Sequence, residues 1–140
     1  MHVTVRMADW ERDGDALRAV RTDVFTREQQ IPADIEYDGL DPHCVHVLAI
    51  TGSGNPVGTA RMQADGHIGR MAVCRAFRRR GVGTALLQAL FAHARGKGLT
   101  GVYLNAQRHA VPFYESVGFV KEGESFLEAD IEHYRMTKRL

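Results

Sequence analysis

The first half of the chain shows two apolar patterns, one with a period of two residues and one with a helical period. Apolar and polar residues alternate over residues 3–7, which predicts a half-buried strand. Leu17, Val20 and Val24 then recur at helical spacing and predict an amphipathic helix. The polar stretch 27–43 contains two prolines and is longer than most connections, so we expect it to be partly helical.

Three apolar segments after this stretch predict an antiparallel meander. They cover residues 44–51, 56–64 and 67–74, and Asp65-Gly66 between the last two is a strong signal for a hairpin turn. A broad apolar stripe then predicts a helix over residues 81–95. The middle of the chain therefore predicts a sheet that is followed directly by a helix.

The last third of the chain completes the predicted sheet. Its patterns predict a strand over 101–105, a helix over 110–117 and a final pair of strands over 119–122 and 134–139. The predicted element order is therefore βα(α)βββαβαββ. This order predicts a mixed α/β domain of the α+β type, built around one sheet.

Length and composition exclude several protein classes. The 140 residues are 44% hydrophobic and 25% charged, which fits one globular domain over residues 1–140 and excludes a disordered chain. Eighteen basic and 17 acidic side chains leave a formal charge of +1, which argues against nucleic acid or a membrane as a partner. Two cysteines and no long apolar run favour a cytoplasmic protein. No set of His, Cys, Asp and Glu has the spacing of a metal site, so we expect none.

A glycine-rich junction between a predicted strand and a predicted helix carries the clearest chemical signal. It contains four arginines between residues 75 and 80, followed by Gly81-Val82-Gly83-Thr84. Free N–H groups at a helix N-terminus, close backbone approach at two glycines and fixed guanidinium charges together predict a phosphate or pyrophosphate site. No lysine follows Gly83, which excludes a P-loop, and Leu86 stands where a dinucleotide fingerprint needs its third glycine.

Two motifs in this half of the chain resemble the GCN5-related N-acetyltransferase (GNAT) superfamily. The junction matches [QR]-x-x-G-x-[GA] through Arg78, Gly81 and Gly83. A second motif, N-x-x-A-x-x-[FL]-Y followed by G-F, begins at Gln107, where asparagine is commoner, and ends at Phe119. The two motifs follow in the expected order on the expected strand–helix junctions, so together they are more specific than either alone.

Three further segments are similar to the ElaA-like branch of this superfamily. They are Val24-Phe25-x-x-Glu28-Gln29, Glu36-x-Asp38-x-x-Asp41 together with His46, and Glu128-x-x-Ile131-x-His133. The resemblance implies a GNAT fold, with a mixed, mostly antiparallel central sheet flanked by helices. It also implies an N-acetyltransferase that moves an acetyl group directly from acetyl-CoA to a primary amine without a metal. Homodimers are common in the family.

The resemblance further implies which residues hold acetyl-CoA. The pyrophosphate is expected at the turn before the predicted helix, and the pantetheine arm beside the third meander strand. The backbone N–H of Val73 is expected to act as the oxyanion donor, and Tyr114 to donate a hydrogen bond to the departing thiolate. The full set of expected acetyl-CoA contacts is Met71, Ala72, Val73, Arg78, Arg79, Arg80, Gly81, Val82, Gly83, Thr84, Gln107 and Tyr114.

The residue that takes the proton of the acceptor amine has several candidates. A lysine-like amine costs about 5 kcal/mol to deprotonate at neutral pH, so some group must accept this proton. Glu28 is the first choice, because it lies in the helical region that covers the acceptor side in this family, and His133 is the second. The remaining candidates are Glu36, Asp38 and Asp41.

The acidic run 28–41 favours a small cationic acceptor, such as a polyamine, an amino sugar, an aminoglycoside or a lysine side chain. A second reading of the same motifs is an acetyl-CoA-binding sensor or assembly protein without turnover. Turnover with any amine would discriminate between the two.

Overall fold

Residues 2–140, which the computed structural model describes, form eight strands and four α-helices around one sheet. The strands are β1 (Val3–Ala8), β2 (Val45–Thr51), β3 (Pro56–Met62), β4 (His67–Val73), β5 (Gly101–Gln107), β6 (Val120–Lys121), β7 (Phe126–Glu128) and β8 (Ile131–Arg139). The helices are α1 (Gly14–Arg21), α2 (Ala33–Glu36), α3 (Val82–Gly96) and α4 (Val111–Ser116). Helix α1 continues directly into a π-helical segment, Thr22–Glu28.

The observed elements confirm the predicted α/β fold, with one strand added. Strand β7 has three exposed residues, so it shows no apolar alternation that the sequence pattern could reveal. The turn that joins it to β8 consists of Ala129 and Asp130, both with positive φ, and lacks the glycine that usually marks such a turn. The observed order of elements therefore ends in three strands where the pattern predicts two.

The sheet is mostly antiparallel and is ordered β1-β2-β3-β4-β5-β8-β6, with β7 also paired to β8. Helix α3 covers one face, where Leu86, Leu87 and Leu90 are completely buried. On the opposite face, Val24 and Phe25 of the π-helical segment pack with Ala72 of β4 in a second apolar cluster. Within residues 2–140, every helix falls short of the length and apolar character that a membrane span requires.

Strands β4 and β5 form the parallel pairing in the described sheet, and they separate after their first residues. Only His67 and Ile68 of β4 pair with β5, opposite Tyr103 and Leu104. Beyond this point the two strands diverge. Against β3, the register of β4 shifts so that Arg70 and Met71 together oppose a single residue, which is a β-bulge. The divergence opens a gap through the middle of the sheet.

Candidate active site

A cleft of about 1010 Å³ occupies the gap between the diverging ends of β4 and β5. Its walls come from the end of β4, the end of β5, the π-helical segment and the β7–β8 hairpin. Met71, Val73, Gln107, Tyr114 and His133 all line it. The structure therefore brings together residues that are expected to bind acetyl-CoA with two residues that are expected to be catalytic.

The main chain of Val73 faces the cleft rather than strand β3. The N–H of Cys74 donates to the Val57 carbonyl at 2.9 Å, so the next pair along, Gly58 with Val73, is a non-hydrogen-bonded pair. In such a pair both main-chain groups point away from the neighbouring strand. In agreement, the Val73 carbonyl accepts a hydrogen bond from Arg78 Nε at 2.8 Å. The Val73 N–H points to the same side.

The turn before α3 leaves the helix N-terminus uncapped by any side chain. Gly81 has φ +81°, a left-handed conformation that favours glycine, and helix α3 begins at Val82. The side chains of Arg79 and Arg80 are exposed beside this end of the helix. First-turn N–H groups and two neighbouring guanidinium groups are suited to binding a phosphate or pyrophosphate.

Packing gives Gly83 a reason to be glycine in addition to the expected approach to a phosphate. A Cβ atom at this position would lie 3.1 Å from Cζ of Phe113 and 3.2 Å from Cε of Met71. Both distances are shorter than ordinary van der Waals contact. The missing side chain therefore lets the first turn of α3 pack against α4 and the bulged strand β4.

The side chain of Arg78, which is expected to contact acetyl-CoA, is also engaged by protein groups in this structure. Its Nη1 and Nη2 atoms donate to the two carboxylate oxygens of Glu28 at 2.8 and 2.6 Å, and its Nε donates to the Val73 carbonyl. Three of the five N–H groups of this guanidinium are thereby used. Arg78 thus links the π-helical segment to the end of β4.

The same contacts weaken Glu28, the first candidate base, as a proton acceptor. The hydrogen bonds from Arg78 lower the pKa of Glu28, and the charge of nearby Arg75 acts in the same direction. A carboxylate with a lowered pKa and both oxygens bound holds a proton weakly. In this structure the Glu28 carboxylate therefore binds the guanidinium of Arg78.

Gln107 also has a protein partner across the cleft. Its Nε2 donates to Oε1 of Gln29 at 2.9 Å, and Nε2 of Gln29 donates back at 3.3 Å. Gln29 follows the π-helical segment, so the paired amides join that segment to the end of β5. Sequence reasoning missed Gln29, although it lies within the Val24–Gln29 motif, because the sequence does not reveal its partner 78 residues away.

Tyr114 reaches the cleft from the α3 side of the sheet. Its ring is half-buried and packs edge-on against Phe113 and Phe119, with ring centroids 5.1 and 5.8 Å away. The hydroxyl donates to the sulfur of Met71 at 3.4 Å, a weak hydrogen bond. Burial raises the pKa of Tyr114, so this phenol is a hydrogen-bond donor and a reluctant acid.

His133 reaches the cleft from the opposite face of the sheet. It pairs with Gln107 across β5 and β8, and paired residues on antiparallel strands share a face. Its Nδ1 lies 2.7 Å from the Ile131 carbonyl, which can only accept, so Nδ1 carries the hydrogen. In the neutral ring Nε2 then has a free lone pair, and it lies 3.5 Å from a carboxylate oxygen of Glu128. Nε2 is therefore the ring atom that can accept a proton, and it lies beside a carboxylate.

Three carboxylates of the acidic run, those of Glu36, Asp38 and Asp41, are each paired with arginine. Buried Arg21 binds Glu36 at 2.5 Å and Asp41 at 2.6 Å. Asp38 and Asp41 are both bound by buried Arg61 at 2.5 and 2.9 Å, and Arg70 contacts Asp38 at 3.2 Å. Glu36 and Asp41 are themselves buried. None of the three carboxylates is placed as a base, because each is held by arginine.

Acid is expected to destabilise this arginine–carboxylate network. Hydrogen bonds from Arg61 lower the pKa of Asp38, and the pKa of Asp41 is lowered because its arginine partners outweigh the opposing effect of burial. A carboxyl group with a lowered folded pKa stabilises the fold above its unfolded pKa and loses that contribution as the pH falls through the folded value. The melting temperature should therefore decrease progressively below about pH 5.

The control for this pH series compares two asparagine variants. Asp38→Asn should lower the melting temperature at pH 7 and make its acid dependence shallower, since one titrating group is gone. Asp15→Asn removes a fully exposed carboxylate and should leave the curve unchanged. Equal slopes for wild type and Asp38→Asn would show that Asp38 does not contribute to acid sensitivity.

Cys74, which follows Val73, is not prepared for nucleophilic chemistry. Burial, together with a hydrogen bond involving Asp23, raises the pKa of this thiol to about 11. The thiolate is the reactive form, so its population at neutral pH is very small. Direct transfer to an amine, which needs no acyl-cysteine, is consistent with this chemistry.

Comparisons with known proteins agree on one family. Residues 21–140 match a family model described as an acetyltransferase (GNAT) domain. The chain is 38% identical over 123 residues to a Bacillus subtilis protein described as the uncharacterized N-acetyltransferase YjcF, which covers 85% of this chain and 87% of that protein. Among solved structures it is similar to an acyl-CoA N-acyltransferase from Pseudomonas aeruginosa, with TM-score 0.85, 31% identity and coverage of 98% and 99%. Escherichia coli ElaA gives TM-score 0.85, 28% identity and the same coverage.

Proposed function

Because this chain belongs to the GNAT acetyltransferase family, we propose that it transfers the acetyl group of acetyl-CoA directly to a small primary amine. Family membership makes the protein an acyltransferase and confirms the resemblance of its motifs. One observation carries the finer proposal. The gap between β4 and β5 has a cofactor-sized volume, an inward-facing main chain at Val73 and the uncapped N-terminus of α3 at the turn that follows β4.

The chain offers each part of acetyl-CoA a chemically matched group. The pyrophosphate fits the first-turn N–H groups of Val82, Gly83 and Thr84, with the exposed Arg79 and Arg80 beside them. The pantetheine arm fits the free edge of β4 between Met71 and Val73, because β5 has already diverged there. These assignments use the residues that the motifs predict.

The reaction requires the amine nitrogen to bond to the thioester carbon while the carbon–sulfur bond breaks. In this proposal the Val73 N–H donates to the carbonyl oxygen as negative charge develops there, a role worth about 3 kcal/mol in comparable sites. Tyr114 donates a hydrogen bond to the leaving sulfur. A phenol is a weaker acid than a thiol by about 2 kcal/mol, and burial widens this difference, so the thiolate receives its proton from solvent.

We assign the proton acceptor to His133 rather than Glu28. Tyr114 and His133 enter the cleft from opposite faces of the sheet, so the amine can approach on one face while the thiolate leaves on the other. Nε2 of His133 takes the amine proton, and Glu128 stabilises the resulting imidazolium. The acceptor needs a positive charge only at its reacting ammonium, because the carboxylates around Arg21, Arg61 and Arg70 are already paired.

A reducing compartment such as the cytoplasm suits this assignment, since both cysteines of the chain are free thiols.

Turnover with a panel of amines tests the proposal. The purified protein is incubated with acetyl-CoA and a polyamine, an amino sugar, an aminoglycoside or a lysine-containing peptide, and CoA thiol release is followed. Mass spectrometry then identifies the acetylated product. At least one amine should be acetylated. Binding of acetyl-CoA without turnover on any amine would favour the sensor function instead.

Replacing His133 with glutamine is expected to lower kcat/KM for the best amine about 10-fold. The loss lies below the usual range for a general base because water can carry the proton to solvent in its place. His109→Gln is the matched control, since it makes the same change at an exposed histidine that lines the same cleft. Equal rates for the two variants would remove His133 from the mechanism.

A further inference from the structure

We propose that Arg78 and Glu28 are positioning residues that hold the Val73 peptide in the orientation needed to bind the thioester carbonyl. The inference rests on the proposed function, because it assumes that the Val73 N–H acts as the oxyanion donor. It changes the role of both side chains. Arg78 acts on the reacting atoms through the protein main chain, and Glu28 acts through Arg78.

The hydrogen bond from Arg78 to the Val73 carbonyl carries the first step. In an extended strand, the N–H and C=O of one residue point to the same side, so fixing the carbonyl direction also fixes the N–H direction. Strand β3 anchors this backbone from its other side, through the N–H of Cys74, but leaves the N–H and C=O of Val73 unbonded, because Gly58 and Val73 form a non-hydrogen-bonded pair. Strand β5 does not bind these two groups either, since its pairing with β4 ends at Ile68. The 2.8 Å bond from Arg78 Nε adds the anchor on the cleft side.

Glu28 fixes the guanidinium in turn. Its two oxygens bind Nη1 and Nη2 at 2.8 and 2.6 Å, a paired geometry that holds the guanidinium plane in one orientation. Both side chains are partly shielded from solvent, with exposed fractions of 36% for Arg78 and 27% for Glu28. This shielding favours a persistent contact over a fluctuating surface ion pair. A series of contacts therefore runs from Glu28 through Arg78 to Val73, the residue proposed to bind the thioester carbonyl.

Arg75 provides a matched control on the same carboxylate. Its Nη2 lies 3.5 Å from Glu28, but its side chain is 81% exposed, so the contact is weak. Its side chain contacts Glu28, whereas the Val73 carbonyl is bound by Arg78. Removing Arg75 changes the local charge as much as removing Arg78 and leaves the Val73 carbonyl bonded.

Infrared spectroscopy of bound acetyl-CoA, labelled with ¹³C at the thioester carbonyl, tests the proposal without an acceptor amine. In the wild-type protein, the labelled carbonyl band should move to lower frequency than in free acetyl-CoA. Arg78→Gln and Glu28→Gln should lose at least half of this shift, whereas Arg75→Gln should retain it. Calorimetry of the same proteins with acetyl-CoA and with ADP should give dissociation constants within about twofold of wild type, since the first-turn N–H groups of α3 and the side chains of Arg79 and Arg80 are unchanged.

The turnover measured with the best amine adds a second readout. Arg78→Gln and Glu28→Gln should each lower kcat about 10-fold, which is part of the 10²- to 10³-fold that losing a whole oxyanion donor costs. The kcat of the double variant should be little lower than that of either single variant, because both changes break the same series of contacts. Arg75→Gln should keep the wild-type kcat.

The outcomes separate the two proposals. If neither the wild-type protein nor any variant binds acetyl-CoA, the proposed function itself is overturned. Binding with equal band shifts in wild type and Arg78→Gln would overturn the positioning role alone. A large loss of ADP affinity in Arg78→Gln, with the carbonyl shift intact at saturation, would make Arg78 a phosphate ligand. A wild-type band with no shift would show that Val73 does not donate to the carbonyl.

Discussion

Replacing Arg21 with methionine is expected to lower the free energy of unfolding by about 3–5 kcal/mol, the usual cost of breaking a buried ion pair from one side. Arg21 is 1% exposed and binds the buried carboxylates of Glu36 and Asp41. The substitution would leave Glu36 without a side-chain partner in residues 2–140, because its other oxygen has none already. Urea unfolding followed by circular dichroism measures the change.

Arg6→Met serves as the control for this stability prediction. Arg6 also binds an aspartate, Asp13, at 2.9 Å, but its side chain is 44% exposed. Asp13 is 10% exposed but also accepts a hydrogen bond from the Asp9 N–H, so it keeps a partner and this variant should lose clearly less stability than Arg21→Met. If Arg21→Met lost no more stability than Arg6→Met, the buried network would not be stabilising the fold.

Replacing Tyr114 with phenylalanine is expected to lower kcat about 100-fold and to leave acetyl-CoA affinity nearly unchanged. The ring would still pack between Phe113 and Phe119, so only the hydroxyl is lost. Its hydrogen bond to the leaving sulfur strengthens as charge develops, and such an interaction lowers the barrier without tightening ground-state binding. Steady-state kinetics and calorimetry on the same preparation separate the two effects.

Tyr134→Phe provides the matched control. Tyr134 is half-buried and packs against the same core as Tyr114, but it does not line the cleft. Its hydroxyl should therefore be dispensable for turnover. Equal kcat values for the two phenylalanine variants would remove Tyr114 from the mechanism, and a large loss of acetyl-CoA affinity in Tyr114→Phe would make its role one of binding.

The sequence could predict the turn before α3 and the helix itself because both are built from local signals. A strand, an arginine-rich turn, two glycines and an apolar helical stripe follow one another between residues 67 and 95. Each signal acts over a few residues, so the chain order alone places the start of α3 at the end of β4. The structure keeps this arrangement within one or two residues at each boundary.

The chemistry of the carboxylates between residues 28 and 41 could not be predicted in the same way, since it depends on partners far apart in the chain. Glu36 and Asp38 look like free carboxylates until the fold brings Arg21 and Arg61 against them, 15 and 23 residues away. Glu28 similarly loses its basic character to Arg78, 50 residues later. A charge in the sequence therefore indicates a functional group only once its pairing is known.

The bulge of β4 is a second feature that no local pattern reveals. Arg70 adopts φ +48° there, although only glycine takes this conformation without strain. Its guanidinium donates to the Glu36 carbonyl at 3.0 Å and contacts Asp38, so contacts from the α2 region support the strained residue. Only these tertiary contacts indicate the bulge, so in the sequence Arg70 looks like an ordinary surface arginine.

Calorimetric titration of the wild-type protein with acetyl-CoA, with CoA and ADP as comparators, tests the central claim most directly. The cleft between β4 and β5 should bind acetyl-CoA with micromolar affinity and more tightly than ADP, because the pantetheine arm adds contacts along β4 to those of the phosphate turn. Absence of acetyl-CoA binding, or equal affinity for acetyl-CoA and ADP, would contradict the assignment of the cleft as the acetyl-CoA site.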